Sequence, residues 1–147
     1  MGSFSNQVGQ WNNKAKKSYR ATARTAVQST VSLAQRVRAS GGRMRVKTGF
    51  LRASIQGSIG HMPSGPTRGE TSSKVAEYFP VGTQAAGEDI SITLLKWDPL
   101  TGDSIYVGWT ANYARPREYY DGFLRGAVEV WDNTVDMAAL KVKNSGV

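Results

Sequence analysis

QVGQWNNKAKKSYRATARTAVQSTVSLAQRVRA, residues Gln7 to Ala39, contains no proline and repeats apolar or small side chains at Val8, Trp11, Ala15, Tyr19, Ala23, Ala26, Thr30, Leu33 and Val37. Steps of three and four gather side chains on one side of a helix that turns about 100° per residue. The spacing predicts one long amphipathic helix with Lys17, Arg20, Arg24, Gln28, Gln35 and Arg38 on its opposite face. Gly41 and Gly42 should end it, because glycine readily takes the left-handed conformation of a helix stop. A helix of about 30 residues extends roughly 45 Å. Part of it should therefore project from a small domain or meet a neighbour.

Working outward from that helix, Thr48 is placed to cap a short second helix whose Phe50, Leu51 and Ile55 offer an apolar side. Residues 57 to 89 are crowded with Gly, Ser, Thr and Pro, including Pro63-Ser64-Gly65-Pro66, and predict a long surface loop with one short strand around Val75 to Phe79. Ile90 to Trp97 and Ser104 to Thr110 are rich in β-branched and aromatic residues and bracket the turn Asp98-Pro99-Leu100-Thr101-Gly102-Asp103. They predict a β-hairpin. A final helix is expected from Asp121 to Lys143, with an apolar stripe of Leu124, Val128, Trp131, Val135, Ala138 and Val142. The order of elements predicts a single α+β domain over residues 1–147, with the long N-terminal and C-terminal helices packed on a small antiparallel β-sheet and residues 57–89 as an extended loop insertion.

Composition narrows the function. The 147 residues are 39% hydrophobic and 20% charged, ordinary values for a chain that folds. There is no cysteine, which excludes disulfides, thiolate nucleophiles and cysteine-ligated metals. No stretch is long and apolar enough to span a bilayer, and the N-terminus carries no export signal pattern, so neither a membrane partner nor secretion is expected. Of the 19 Lys and Arg residues, twelve precede the first carboxylate, Glu70, whereas all 11 acids lie at or beyond it. A chain that is basic first and acidic second suits either a polyanionic partner or self-association between unlike halves.

Enzyme signatures are weak. The only histidine, His61, sits beside Met62 and Pro63 in the loop, which does not supply a histidine metal cluster or a scaffold for a catalytic triad. Gly42 to Thr48 lacks the glycine that a phosphate-binding loop needs before its lysine, since Val46 stands there. The aspartates Asp98 and Asp103 are the residues a turn selects. No catalytic, cofactor-binding or metal site is expected. The residues that could face DNA or a neighbouring subunit are Lys17, Arg20, Arg24, Arg38, Arg43, Arg45 and Lys47. They could follow phosphates, pair with an acidic neighbour, or simply be solvated. Reversal of Arg20 and Arg24 to Glu is expected to leave the monomer folded.

Three segments carry a resemblance. Thr48-Gly49-Phe50-Leu51-Arg52-Ala53-Ser54, following the long helix, resembles the "T-G-x-L-R-x-S" segment of the tail-completion, or minor tail component, proteins of tailed bacteriophages. Tyr106-Val107-Gly108, then Asn112-Tyr113-Ala114 and Glu118-Tyr119, is similar to that family's "V-G … Y-A … E-Y" stretch. Gly122 to Ala127, continuing to Trp131, resembles its closing helix. The departures are the long loop before Ile90 and Arg115-Pro116-Arg117 between the Tyr-Ala and Glu-Tyr pairs. The resemblance implies a structural virion protein, assembled in the host cytoplasm. It would form a homo-oligomeric ring of six copies in the neck, between the head connector or adaptor and the tail tube, around the genomic DNA that passes without sequence preference. A basic nucleic-acid-binding protein that contacts phosphates through its N-terminal helix is the alternative.

Overall fold

The computed structural model describes residues 3–46, 49–63 and 88–146. Lys47, Thr48 and the strand expected at Val75 to Phe79 lie outside those residues. The architecture is α+β, with a long N-terminal helix, a C-terminal helix and a two-stranded antiparallel sheet. Helix α1 runs Ser3–Ala34, 32 residues, or about 48 Å. It stops well short of Gly41 and Gly42. The chain turns through a short 3-10 segment at Arg38–Ser40, and Gly41 adopts φ 86°. Gly42 N–H donates to the Val37 carbonyl at 2.9 Å, and a Cβ on Gly42 would stand 1.8 Å from the Arg36 oxygen. The two glycines thus close the return loop after the helix, and the loop tucks Met44 into the core with no exposed surface.

Helix α2, Phe50–Ala53, buries Phe50 and Leu51 as its sequence suggested, and Gly49 enters it at φ 84°. Strand β1, Ile55–Ile59, takes the first residues of the segment read as loop. It pairs with β2, Ile105–Trp109, in the register Ile55 to Trp109 through Ile59 to Ile105. The expected hairpin is therefore corrected: β2 exists, but its partner is β1, and Ile90–Lys96 forms helix α3. Local β propensity loses here to a cap and to packing. The Asp89 carboxylate accepts from Ser91 N–H at 2.7 Å, and Thr93, Leu94 and Trp97 are buried at helical spacing. Gly57 lets α3 lie against the strand, since a Cβ there would come within 2.6 Å of Ile90 Cδ1.

The final helix expected from Asp121 to Lys143 is two helices, α5, Phe123–Glu129, and α6, Trp131–Asn144, and the stretch before it forms a further one, α4, Ala114–Asp121. Gly122, at φ 62°, ends α4 and begins α5. The Glu118 carboxylate then accepts from the N–H groups of Leu124 and Arg125, each at 2.9 Å, and satisfies the free donors of α5. Val130 leaves helical geometry between α5 and α6. That break shifts the phase of the apolar stripe. Ala138 and Val142 are buried as expected, but Val128 and Trp131 are exposed, and Phe123, Ala127 and Thr134 are buried in their place.

Helix α1 packs chiefly against α6 and α5, and α3 lies on β1. The core gathers Ala34 of α1, Met44, Phe50, Leu51, Ala111, Ala114, Phe123 and Ala127. The Trp109 and Phe123 rings meet edge to face, 5.2 Å between centroids, a favoured aromatic geometry. All of this lies at the C-terminal end of α1.

Candidate functional site

The cations singled out in the sequence separate into three groups with different work. Arg20 and Arg24 emerge from the middle of α1 toward the end of α3. Arg20 makes a two-point contact with Asp98, Nε to Oδ1 at 3.0 Å and Nη2 to Oδ2 at 3.1 Å. Arg24 donates to the carbonyls of Trp97, at 2.6 Å from Nη2, and Leu95, at 3.1 Å. These acceptors lie at the C-terminal end of α3, where unpaired carbonyls and the helix dipole both favour a cation. The two arginines brace α1 against α3, so reversing them to Glu would remove a structural tie.

The Asp98 carboxyl is held below the ordinary carboxylate range, first by Arg20 and then by the Leu100 N–H. The same pairing raises the Arg20 guanidinium above its usual value. Glu88 is likewise lowered, mainly by its bond to Lys96 against an opposing desolvation, with the Thr93 hydroxyl adding to the effect. Asp98 also accepts from Leu100 N–H at 3.0 Å, the turn role its sequence context suggested.

A second group converges on the corner between α4 and α5. Asp121, its side chain only 1% exposed, receives Arg38 Nη2 at 3.2 Å and Arg45 Nε at 3.3 Å on the same oxygen. Arg117 stands 3.7 Å from the other oxygen, an ion-pair distance too long for a hydrogen bond. Arg43 donates to the Gly122 carbonyl at 3.4 Å and lies over Gly126, where a Cβ would approach its Cζ to 2.9 Å. Gly126 is the floor on which that guanidinium rests. The Arg38 and Arg45 side chains remain about half exposed, at 52% and 56%, so positive charge persists at the surface around a buried anion. Beside them, Tyr119 and Tyr120 are exposed, and the Arg117 guanidinium sits 5.5 Å from the Tyr120 ring centre.

The third group is on the projecting part of α1. Every residue from Ser3 to Lys17 is exposed, including Lys14, Lys16 and Lys17. So are Phe4 at 77%, which precedes the predicted stripe, and the large apolar members of that stripe, Val8 at 49%, Trp11 at 71% and, one step further, Tyr19 at 55%. Of the predicted stripe Ala26 alone is buried, Val31 and Ala34 outside it are buried with it, and the N-terminal half of the stripe covers no core among the described residues.

Sequence reasoning missed the acceptors. Asp121 and Glu118 gave no local signal of their importance, because their partners at Arg38 and Arg45, and the N–H groups beyond Gly122, come from chain folding. His61 bonds Ser58 Oγ at 2.8 Å, three residues away in an exposed turn, and its other ring nitrogen faces the Ile59 carbonyl at 3.2 Å. A backbone carbonyl occupies the place where a triad would set a carboxylate. Among the described residues, no group of three or more His, Asp or Glu side chains is arranged to hold a metal ion, and no helix is long and apolar enough to cross a membrane. No family model matches the chain, and neither a curated protein nor a solved structure matches it.

Proposed function

We propose that this chain is a structural, non-catalytic subunit of a tailed-bacteriophage neck, a tail-completion-like protein that forms a ring joining head connector to tail around the DNA path. The observation that carries the reading is the bare first half of α1. Fifteen helical residues from Ser3 to Lys17 are exposed, and Gly9, Asn12 and Asn13 among them are poor helix formers. So short a segment has little helical stability of its own in water, and its aromatic stripe is what a contact with another surface would bury. The three sequence segments that resemble the tail-completion family support the same role.

Two measurements test it. Sedimentation should show a concentration-dependent oligomer of defined mass, and negative-stain images of that species should show closed rings. A chain that stays monomeric at high concentration overturns the reading.

Nucleic-acid binding is the second reading. Arg20 and Arg24 are committed to α3 and the turn after it, so the phosphate-facing cations of this reading would be the exposed Lys14, Lys16 and Lys17 of α1 and the half-exposed Arg38 and Arg45 around Asp121, beside exposed Tyr119 and Tyr120. Duplex DNA binding by the free chain that falls steeply with salt, and falls further on Arg38→Ala with Arg45→Ala, would favour it.

A further inference from the structure

The projecting half of α1 and the outer face of α6 are complementary in length, charge and apolar content. Ser3 to Lys17 extends about 22 Å and the 14 residues of α6 about 21 Å. On the projecting segment, helical spacing sets Lys14 and Lys16 on either side of the Phe4, Val8, Trp11 and Ala15 stripe, and no acid occurs anywhere in α1. Glu129 at the end of α5 and Asp132 and Asp136 on α6 are all exposed. Met137 and Leu140, next to those acids, are also exposed, at 59% and 50%.

We propose that the projecting half of α1 docks antiparallel along α6 of a second copy of this chain. The antiparallel sense follows from charge: it sets Lys14 and Lys16 opposite Glu129, Asp132 and Asp136, and brings Phe4 and Val8 to Met137 and Leu140. The parallel sense would set the lysines against Lys141 and Lys143, a like-charge juxtaposition. The two surfaces are different patches of one molecule, so each copy offers a donor tip and an acceptor face. Contacts of that kind close into rings or run on as filaments. The proposal rests on the ring reading above and specifies its contact.

Charge exchange tests it. One variant carries Lys14→Glu and Lys16→Glu, the other Glu129→Lys, Asp132→Lys and Asp136→Lys. All five positions are exposed, and unchanged thermal melts should confirm that both variants fold. Each alone should associate at least about tenfold more weakly than the parent chain, and a one-to-one mixture should recover the parent mass by sedimentation, because every tip then finds a face of opposite sign. Trp11→Ala should weaken association without altering the charges. If the parent assembles and both reversed chains assemble equally well, or if their mixture shows no recovery, the docking is wrong while the ring stands. If only the tip variant loses assembly, the tip meets some other surface and the proposal falls. If the parent itself never assembles, the ring reading and this contact fall together.

Discussion

Along α1, the stretch from Ala21 to Ala34 sinks Ala26, Val31 and Ala34 into the protein, whereas Ser3 to Lys17, with larger apolar side chains, lies in solvent. Of the three buried residues, Ala26 belongs to the predicted stripe, whereas Val31 and Ala34 lie to one side of it. The small residues are the buried ones because α5 and α6 reach only that half, and alanines at a helix contact let two axes approach closely. Trp11 would contribute far more apolar area than Ala26 if covered. Burial is thus decided by where the partner elements end, and the side chains left over describe a surface waiting for another one.

The comparison is broken most severely from beneath the packed half. Phe123→Ala should cost about 3 to 5 kcal/mol, the usual range for truncating a buried aromatic, because Phe123 is 3% exposed in the core that Ala34 closes. A urea titration would read it as a lowered midpoint with little change in slope. Asp121→Ala follows, at about 2 kcal/mol. Removing one partner of a buried ion pair costs more than that when the other is also buried, but Arg38 and Arg45 are half exposed and regain water. The melting temperature should fall accordingly.

Arg24→Ala, which releases the carbonyls of Leu95 and Trp97, should cost about 1 to 2 kcal/mol, since charged hydrogen bonds exceed neutral ones. Hydrogen exchange should show the loss first in α3. The pH dependence is gentler. Asp98 and Glu88 titrate below ordinary carboxylates in the folded chain, so their stabilisation is complete above the usual carboxylate pKa, about 4. It is lost as pH falls through the lowered values. Asp98→Asn should flatten that acid limb in melts recorded across pH, with Glu88 left to supply the remainder. Smallest of all, Trp11→Ala should change monomer stability by no more than about 0.5 kcal/mol. A large loss in dilute monomer would mean that the bare half is secured within the chain, and the contrast between the halves would be gone.

The long helix, the second strand and the α+β class were legible because each rests on a periodicity carried by neighbouring residues. The short helix at Phe50–Ala53 was legible for the same reason. Ile90–Lys96 was misread because its β-branched residues satisfy a strand pattern, while the deciding contact, Ile90 and Thr93 over Gly57, joins residues far apart in sequence. The final helix was read as continuous because nothing in the stripe registers a bend at Gly122 or Val130. The basic residues were found as a set, but their division was not. Whether an arginine braces α1 or faces solvent depends on Asp98 and Asp121, which reach it across more than 75 residues of chain.

Helix α1 is held along its C-terminal half by α3, α5 and α6 and, among the described residues, is unsupported for nearly half its length. It is therefore a lever arm. A tilt of about 10° at its base swings a tip about 22 Å away by about 4 Å, roughly three-quarters of a helical turn. In the proposed ring, the stiffness of the Arg20 and Arg24 fulcrum would set how finely each subunit is aimed at the next, and a single loosened pivot would accumulate as angular error around the circle.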